Sequence, residues 1–395
     1  MFPTDVSLHA PVQPHGDRRS GVDRRRAFRG GRRATDLIRA GVTAGIMAGV
    51  LAAPAAAQTR APRDTGAITG FKAVKKNPKP PTAPAPVPAP AGMRFGVHVD
   101  SLAKAESHSL PMSYGVFWMG SWTQKYGWGY AEQQLTAAKA KGITPIVHWW
   151  YWGDDISPDC VERGCQDTRQ GVWKDRATWY RMTRELGDVI RRTMGGAEAI
   201  VIVESEFNKG GIEGYEAFDG YLLDQVVELH RVAGIKVVIG FGNWGLSNWA
   251  RFDRAASAAD LVGTQLLRSS LRDAATYQQA VDTLVSGAAH LNNTFRKPSF
   301  IIDLALSSYP STEYEAYQAA VVAQLFQRLG ELETLGVTGI VWRAIVDDPS
   351  MDLSNYHGMA ERYWGVVRAD GSEKPAFRPF ADGIRAATAA SLARR

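Results

Sequence analysis

The sequence predicts an α/β fold, a closed (β/α)8 TIM barrel, preceded by a non-globular leader. Two observations carry this. From residue 94 onward, eight apolar strand-like runs alternate with amphipathic stretches. Such alternation implies a parallel sheet with right-handed crossovers, and about 300 residues suit one barrel. The other is the run Ile200-Val201-Ile202-Val203, followed by Glu204-Ser205-Glu206-Phe207-Asn208 and then Gly210-Gly211. A β-branched run reads as a buried strand. Carboxylates at its C-terminal end lie where barrel active sites are built.

The strands are expected at Arg94–Val99, Tyr114–Met119, Thr144–Trp149, Ala199–Glu204, Lys236–Phe241, Ala259–Thr264, Ser299–Leu304 and Gly339–Ile345. Helical periodicity covers Tyr130–Lys141, Arg176–Met194, Tyr215–Ala233, Ala274–Leu291 and Thr312–Leu335, with a last helix over Ala376–Arg394. A doubly wound open sheet is the rival, but it usually has fewer strands. No Gly-x-Gly-x-x-Gly turn follows the first strand and no phosphate-cradling loop is present, so no nucleotide cofactor is implied.

The leader divides in two. Residues 1–57 read as an export signal: an Arg-rich start, an uncharged run Gly41–Ala53, and small residues Ala55-Ala56-Ala57 before Gln58. Arg32-Arg33 resembles a twin-arginine signal, although Asp36 stands where such motifs prefer an apolar residue. Residues 58–92 form a Pro/Ala-rich linker that favours extended geometry. Residues 93–395 form the barrel domain. The expected location is periplasmic or extracellular, with a membrane anchor as the alternative if the signal stays uncleaved.

The formal net charge of +6 belongs to the leader and linker. Residues 1–57 hold 9 Arg and 4 Asp, and residues 58–93 hold 6 basic residues and 1 acid, which leaves about −4 for the barrel. Nucleic acid is therefore not an expected partner. The two cysteines, Cys160 and Cys165, read as a short loop disulfide in an exported chain. His98, His148 and Asp100 lack the short spacing of a metal site, so no metal is expected.

Several predicted strand ends are aromatic or polar. They contribute Trp118, then Trp122; His148-Trp149-Trp150, running on to Asp154; Trp244; and Trp342-Arg343, followed by Asp347. Of 12 Trp, at least six fall at or just after such ends. Flat apolar faces gathered at one rim suit stacking on sugar rings, with core packing as the alternative. Alternation along the fourth strand would put Glu204 and Glu206 on one face, Glu206 at the rim. Asp303 interrupts the apolar run Phe300-Ile301-Ile302-Asp303-Leu304, where a buried carboxylate needs a partner or a role.

These residues resemble clan A glycoside hydrolases. Glu206-Phe207-Asn208 is similar to the Glu-Met-Asn after strand 4 of family 26 mannanases. Lys297-Pro298 followed by Asp303 resembles the approach to the clan's nucleophile, with Asp in place of Glu, and Trp342 matches its strand-8 aromatic. Trp364-Gly365-Val366-Val367, Asp370-Gly371 and Lys374-Pro375-Ala376-Phe377 resemble its C-terminal segment. The chain is expected to be a monomer. The resemblance implies a hydrolase acting on a polysaccharide or oligosaccharide, with Glu206 as acid. It places Asp303 as nucleophile or base, with Glu204 or Asp154 in reserve. Trp118, Trp149, Trp150, Trp244 and Trp342 would line subsites, and His148, Asn208 and Arg343 would bind hydroxyls. Ser205 departs from the clan's usual Asn or His. A non-catalytic glycan-binding barrel and a polysaccharide lyase are the alternatives.

Overall fold

A computed structural model describes residues 92–151, 176–208, 216–243, 246–268, 278–351 and 358–393. The leader, the linker, Asp154, Cys160, Cys165 and Trp244 lie outside the described residues.

Eight parallel strands close in sequence order: β1 (Arg94–His98), β2 (Tyr114–Met119), β3 (Thr144–Trp149), β4 (Ala199–Val203), β5 (Ile235–Phe241), β6 (Leu261–Arg268), β7 (Ser299–Leu306) and β8 (Val337–Trp342). β1 pairs with β8 through Arg94 opposite Gly339 and Val97 opposite Trp342. Helices Gly129–Ala140, Arg176–Met194, Glu216–His230, Ala280–Phe295, Thr312–Gln327 and Phe377–Ala393 lie where amphipathic periodicity places them. The expected helix Thr312–Leu335 divides at Arg328, and a second helix, Leu329–Thr334, follows. A short helix, Val99–Ser107, follows β1 where the sequence suggested none.

Inside the barrel Tyr114, Val116, Ile146, Ile200, Ile202, Val238, Phe300, Ile302 and Val341 form the innermost core. Bulk and smallness alternate across it. A methyl on Gly339 would collide with the Phe300 ring, and one on Gly263 with Ile302. Glycines on β6 and β8 thus let the large β7 side chains fill the centre, the packing expected of a closed barrel. Two further apolar clusters lie between strands and helices.

β7 carries one extra residue. Thr264 and Gln265 on β6 face Ile301 and Asp303, while Ile340 and Trp342 on β8 face Ile301 and Leu304. A bulge of this kind re-aims a side chain. Ile302 therefore packs inward, Leu304 packs outward, and Asp303 between them turns into the barrel mouth.

The segment after β8 is fastened by a buried cation. Lys374 Nζ donates to Asp347 Oδ1 at 2.7 Å, to the Gly365 carbonyl at 2.8 Å and to Ser308 Oγ at 2.8 Å. Asp347 is thus a structural partner. Lys374→Met would leave a buried carboxylate without its cation, a change that costs about 3 kcal/mol. Urea unfolding of the variant at pH 7 should show that loss, and a difference within error of zero would sink this role for the pair.

Candidate active site

The C-terminal mouth is built on an ion pair. Arg343, just after β8, sets Nη1 2.5 Å from Asp303 Oδ2. His98, at the end of β1, lies with Nε2 3.6 Å from the other Asp303 oxygen. Asp303 is 1% exposed. Burial pushes its carboxyl up, but the Arg343 guanidinium and His98 outweigh this and bring it down to about 2. Near pH 7 the group is an ionised carboxylate. The Arg343 guanidinium also lies over the rings of Trp118 and Trp364, at 5.5 and 5.4 Å, so the cation is framed by aromatic faces.

The turn after β4 departs from the sequence expectation. The strand ends at Val203, not Glu204, and the alternation argument fails from there. Glu204 (φ 45°) and Glu206 (φ 62°) both adopt left-handed backbone. That conformation is strained for such side chains and tends to occur at functional sites. Glu204 is fully buried and accepts a hydrogen bond from the Tyr151 amide at 2.8 Å, while its own amide donates to the Trp149 carbonyl at 2.8 Å. It ties the β4 turn to the end of β3. Ser205 points into the barrel and shares a 2.6 Å hydrogen bond with His148 Nδ1. Glu206 is left at the rim, half-buried, and accepts a hydrogen bond from the Gln265 amide on β6. Gln265 is also the register partner of Asp303 on the neighbouring strand.

The site floor is aromatic. Trp118 stacks on His148 with ring centroids 4.0 Å apart and meets the edge of Trp150 at 5.4 Å. Both indoles are half-buried. Burial pushes the His148 imidazole down to about 3, and burial followed by Arg343 lowers His98. Both rings are neutral in the folded protein near pH 7.

Glu206, Asp303, Arg343, Trp118 and Trp150 therefore come together at the mouth, and other expected site residues do not. Trp149 is fully buried on the outer face of β3, with Nε1 donating to Thr183 Oγ1 at 2.8 Å. Trp342 packs outward on Phe380 of the last helix and donates to the Ala344 carbonyl at 2.8 Å. Both follow from strand alternation: inward His148 makes Trp149 outward, and outward Trp342 gives the inward place to Arg343. Asn208 clasps Gly242, accepting from its amide at 2.6 Å and donating to its carbonyl at 3.0 Å. It joins the β4 and β5 loops. His148 lies beneath Trp118, with no exposed surface to offer a hydroxyl. Sequence reasoning missed Gln265 because β6 runs to Arg268, beyond the expected end at Thr264. A polar amide inside Val262-Gly263-Thr264-Gln265-Leu266-Leu267 was the available signal.

These titrations fix a pH dependence. An unfolded chain takes a proton on each histidine near pH 6.5, and the folded barrel refuses it. Stability from this source is fully present above about pH 6.5 and is lost as the pH falls toward about 3 for His148. Asp303 adds a later loss. Its unfolded carboxyl protonates near 3.8 and its folded one near 2, so the loss falls between those values. Urea unfolding of wild type and His148→Asn from pH 7.5 to 4 should show a shallower decline in the variant. Parallel declines would refute the assignment.

No protein-family profile matches the chain, and no curated protein matches it. Solved structures do resemble it. A GH5_18 variant from Bifidobacterium longum subsp. longum ATCC 55813, in complex with Manb1-4GlcNAc, has TM-score 0.52 at 12% identity, over 76% of this chain and 79% of that one. The Ignisphaera aggregans GH53 catalytic domain has TM-score 0.52 at 14% identity, over 73% of this chain and 90% of that one. An exo-beta-1,4-mannosidase from Opitutaceae bacterium strain TAV5 has TM-score 0.53 at 14% identity, over 76% and 60%. At such identities the likeness establishes the shared barrel. These neighbours are glycoside hydrolases. The likeness to family 26 rests on Glu206-Phe207-Asn208 alone.

Proposed function

We propose that the protein is an exported glycoside hydrolase acting on a polysaccharide or oligosaccharide by a two-carboxylate mechanism. The observation that carries this is the placement of Glu206 and Asp303 at the C-terminal end of the barrel, with Gln265 bonded to the first and in register with the second. One stands on the turn after β4, and the other is swung inward by the bulge in β7. Their environments differ, as acid and base roles require. Asp303, held ionised by Arg343, suits attack on the anomeric carbon or activation of water. Glu206, at the rim beside an uncharged amide, suits proton delivery to the leaving oxygen. Trp118 and Trp150 offer a floor on which a sugar ring can stack. The solved neighbours, glycoside hydrolases on the same barrel, support the reaction class. The Arg-rich start and small-residue cleavage site of the leader support export.

Asp is one methylene shorter than Glu, and a wider gap between carboxyls admits a water and inverts the anomeric centre. Inversion is the expected outcome. Proton NMR of the first-formed sugar tests it, and a product with the substrate's anomeric configuration overturns it. Glu206→Gln should lower kcat on unactivated glycosides by about 10²–10⁴. Turnover near wild type in that variant would rule out Glu206 as the acid.

One feature favours a second reading, a barrel that binds glycan without cleaving it. Asp303 is almost wholly buried, and its Oδ2 is committed to Arg343. Glycan binding by calorimetry without new reducing ends would establish that reading over hydrolysis.

A further inference from the structure

The turn that carries Glu206 is strained at two non-glycine residues, yet it sits at the mouth of a rigid barrel. Strained backbone persists where its surroundings over-determine it. Two of the restraints lie at the ends of the turn: Glu204 on the Tyr151 amide, and Asn208 on Gly242. Between them Ser205 drops into the barrel and meets His148. His148 faces Ile202 on β4 and Trp118 on β2, and its ring lies 6.4 Å from that of His98 and near the charges of Asp303 and Arg343. It is fully buried and covered by the Trp118 ring, so it touches no substrate.

We propose that His148 and Ser205 are positioning residues for Glu206, their hydrogen bond pinning the middle of the turn so that the Glu206 carboxyl is presented to the cleft. This rests on the reading of Glu206 as general acid. The 2.6 Å Ser205–His148 bond joins β3 to the residue directly before Glu206, so a change at a buried ring is felt at the rim one residue later. The ring's neutrality keeps it a hydrogen-bonding partner and not a second charge beside the acid. Trp118, stacked on the same ring, couples the sugar-stacking floor to the same support.

A leaving-group comparison separates positioning from general structural support. Glycosides with poor leaving groups need the acid, whereas 2,4-dinitrophenyl glycosides leave without it. Ser205→Ala and His148→Leu should lose about 100-fold in kcat on the first class, the scale of a misplaced catalytic group, and stay close to wild type on the second. His148→Asn should recover most of the loss, because its amide reaches the Nδ1 position and rotates to donate or accept. Equal losses on both classes, or no recovery with Asn, would overturn the proposal. If wild type cleaves neither class, the hydrolase reading falls, and amide hydrogen exchange decides the positioning. Exchange at residues 204–208 should then quicken in Ser205→Ala and His148→Leu while the strands stay protected. Unchanged exchange there overturns it.

Discussion

The Asp303–Arg343 ion pair is the constraint around which the mouth of this barrel is arranged. A buried carboxylate is costly alone, so each neighbouring strand contributes something toward it. β7 gives up regular pairing for one residue to turn Asp303 inward. β8 ends so that Arg343 follows, and β1 ends in His98. Trp118 and Trp364 frame the cation. The chemistry then follows from asymmetry: one carboxylate tied to a guanidinium, the other tied to an amide.

The barrel itself was legible in the sequence because buried parallel strands leave an unmistakable apolar signal and amphipathic helices separate them. The site was legible in part. Glu206 and Asp303 stood out because carboxylates interrupt apolar runs at strand ends. The indoles did not sort themselves, because inward and outward faces of a doubly covered strand are equally apolar. Trp149 and Trp342 therefore looked like site residues and are outer core. Bulges are invisible to period-two reasoning, and so is a left-handed turn built without glycine. For that reason the partner of Ser205 could not be anticipated, whereas the depth of Glu204 below Glu206 could.

Polar residues at the mouth fall into two kinds. Some satisfy the backbone where loops leave the sheet: Glu204 with Tyr151, and Asn208 with Gly242. Others pair with one another at the mouth: Glu206 with Gln265, and Asp303 with Arg343. The first kind resembles a functional motif in sequence yet serves to fix geometry. Their demand for exact loop placement is what allows a short, strained turn to present a single carboxyl.

The position of Arg343 has a consequence in time. It follows the last strand, and the preceding residue, Trp342, rests on Phe380 of the final helix. A nascent chain holding β1 through β7 would have Asp303 but not its counter-ion, and could not close against β1. Completion of the barrel and arming of its charged centre are one event. Until β8 and Arg343 are in place, the emerging polypeptide carries both carboxylates but lacks the cation that sets them apart.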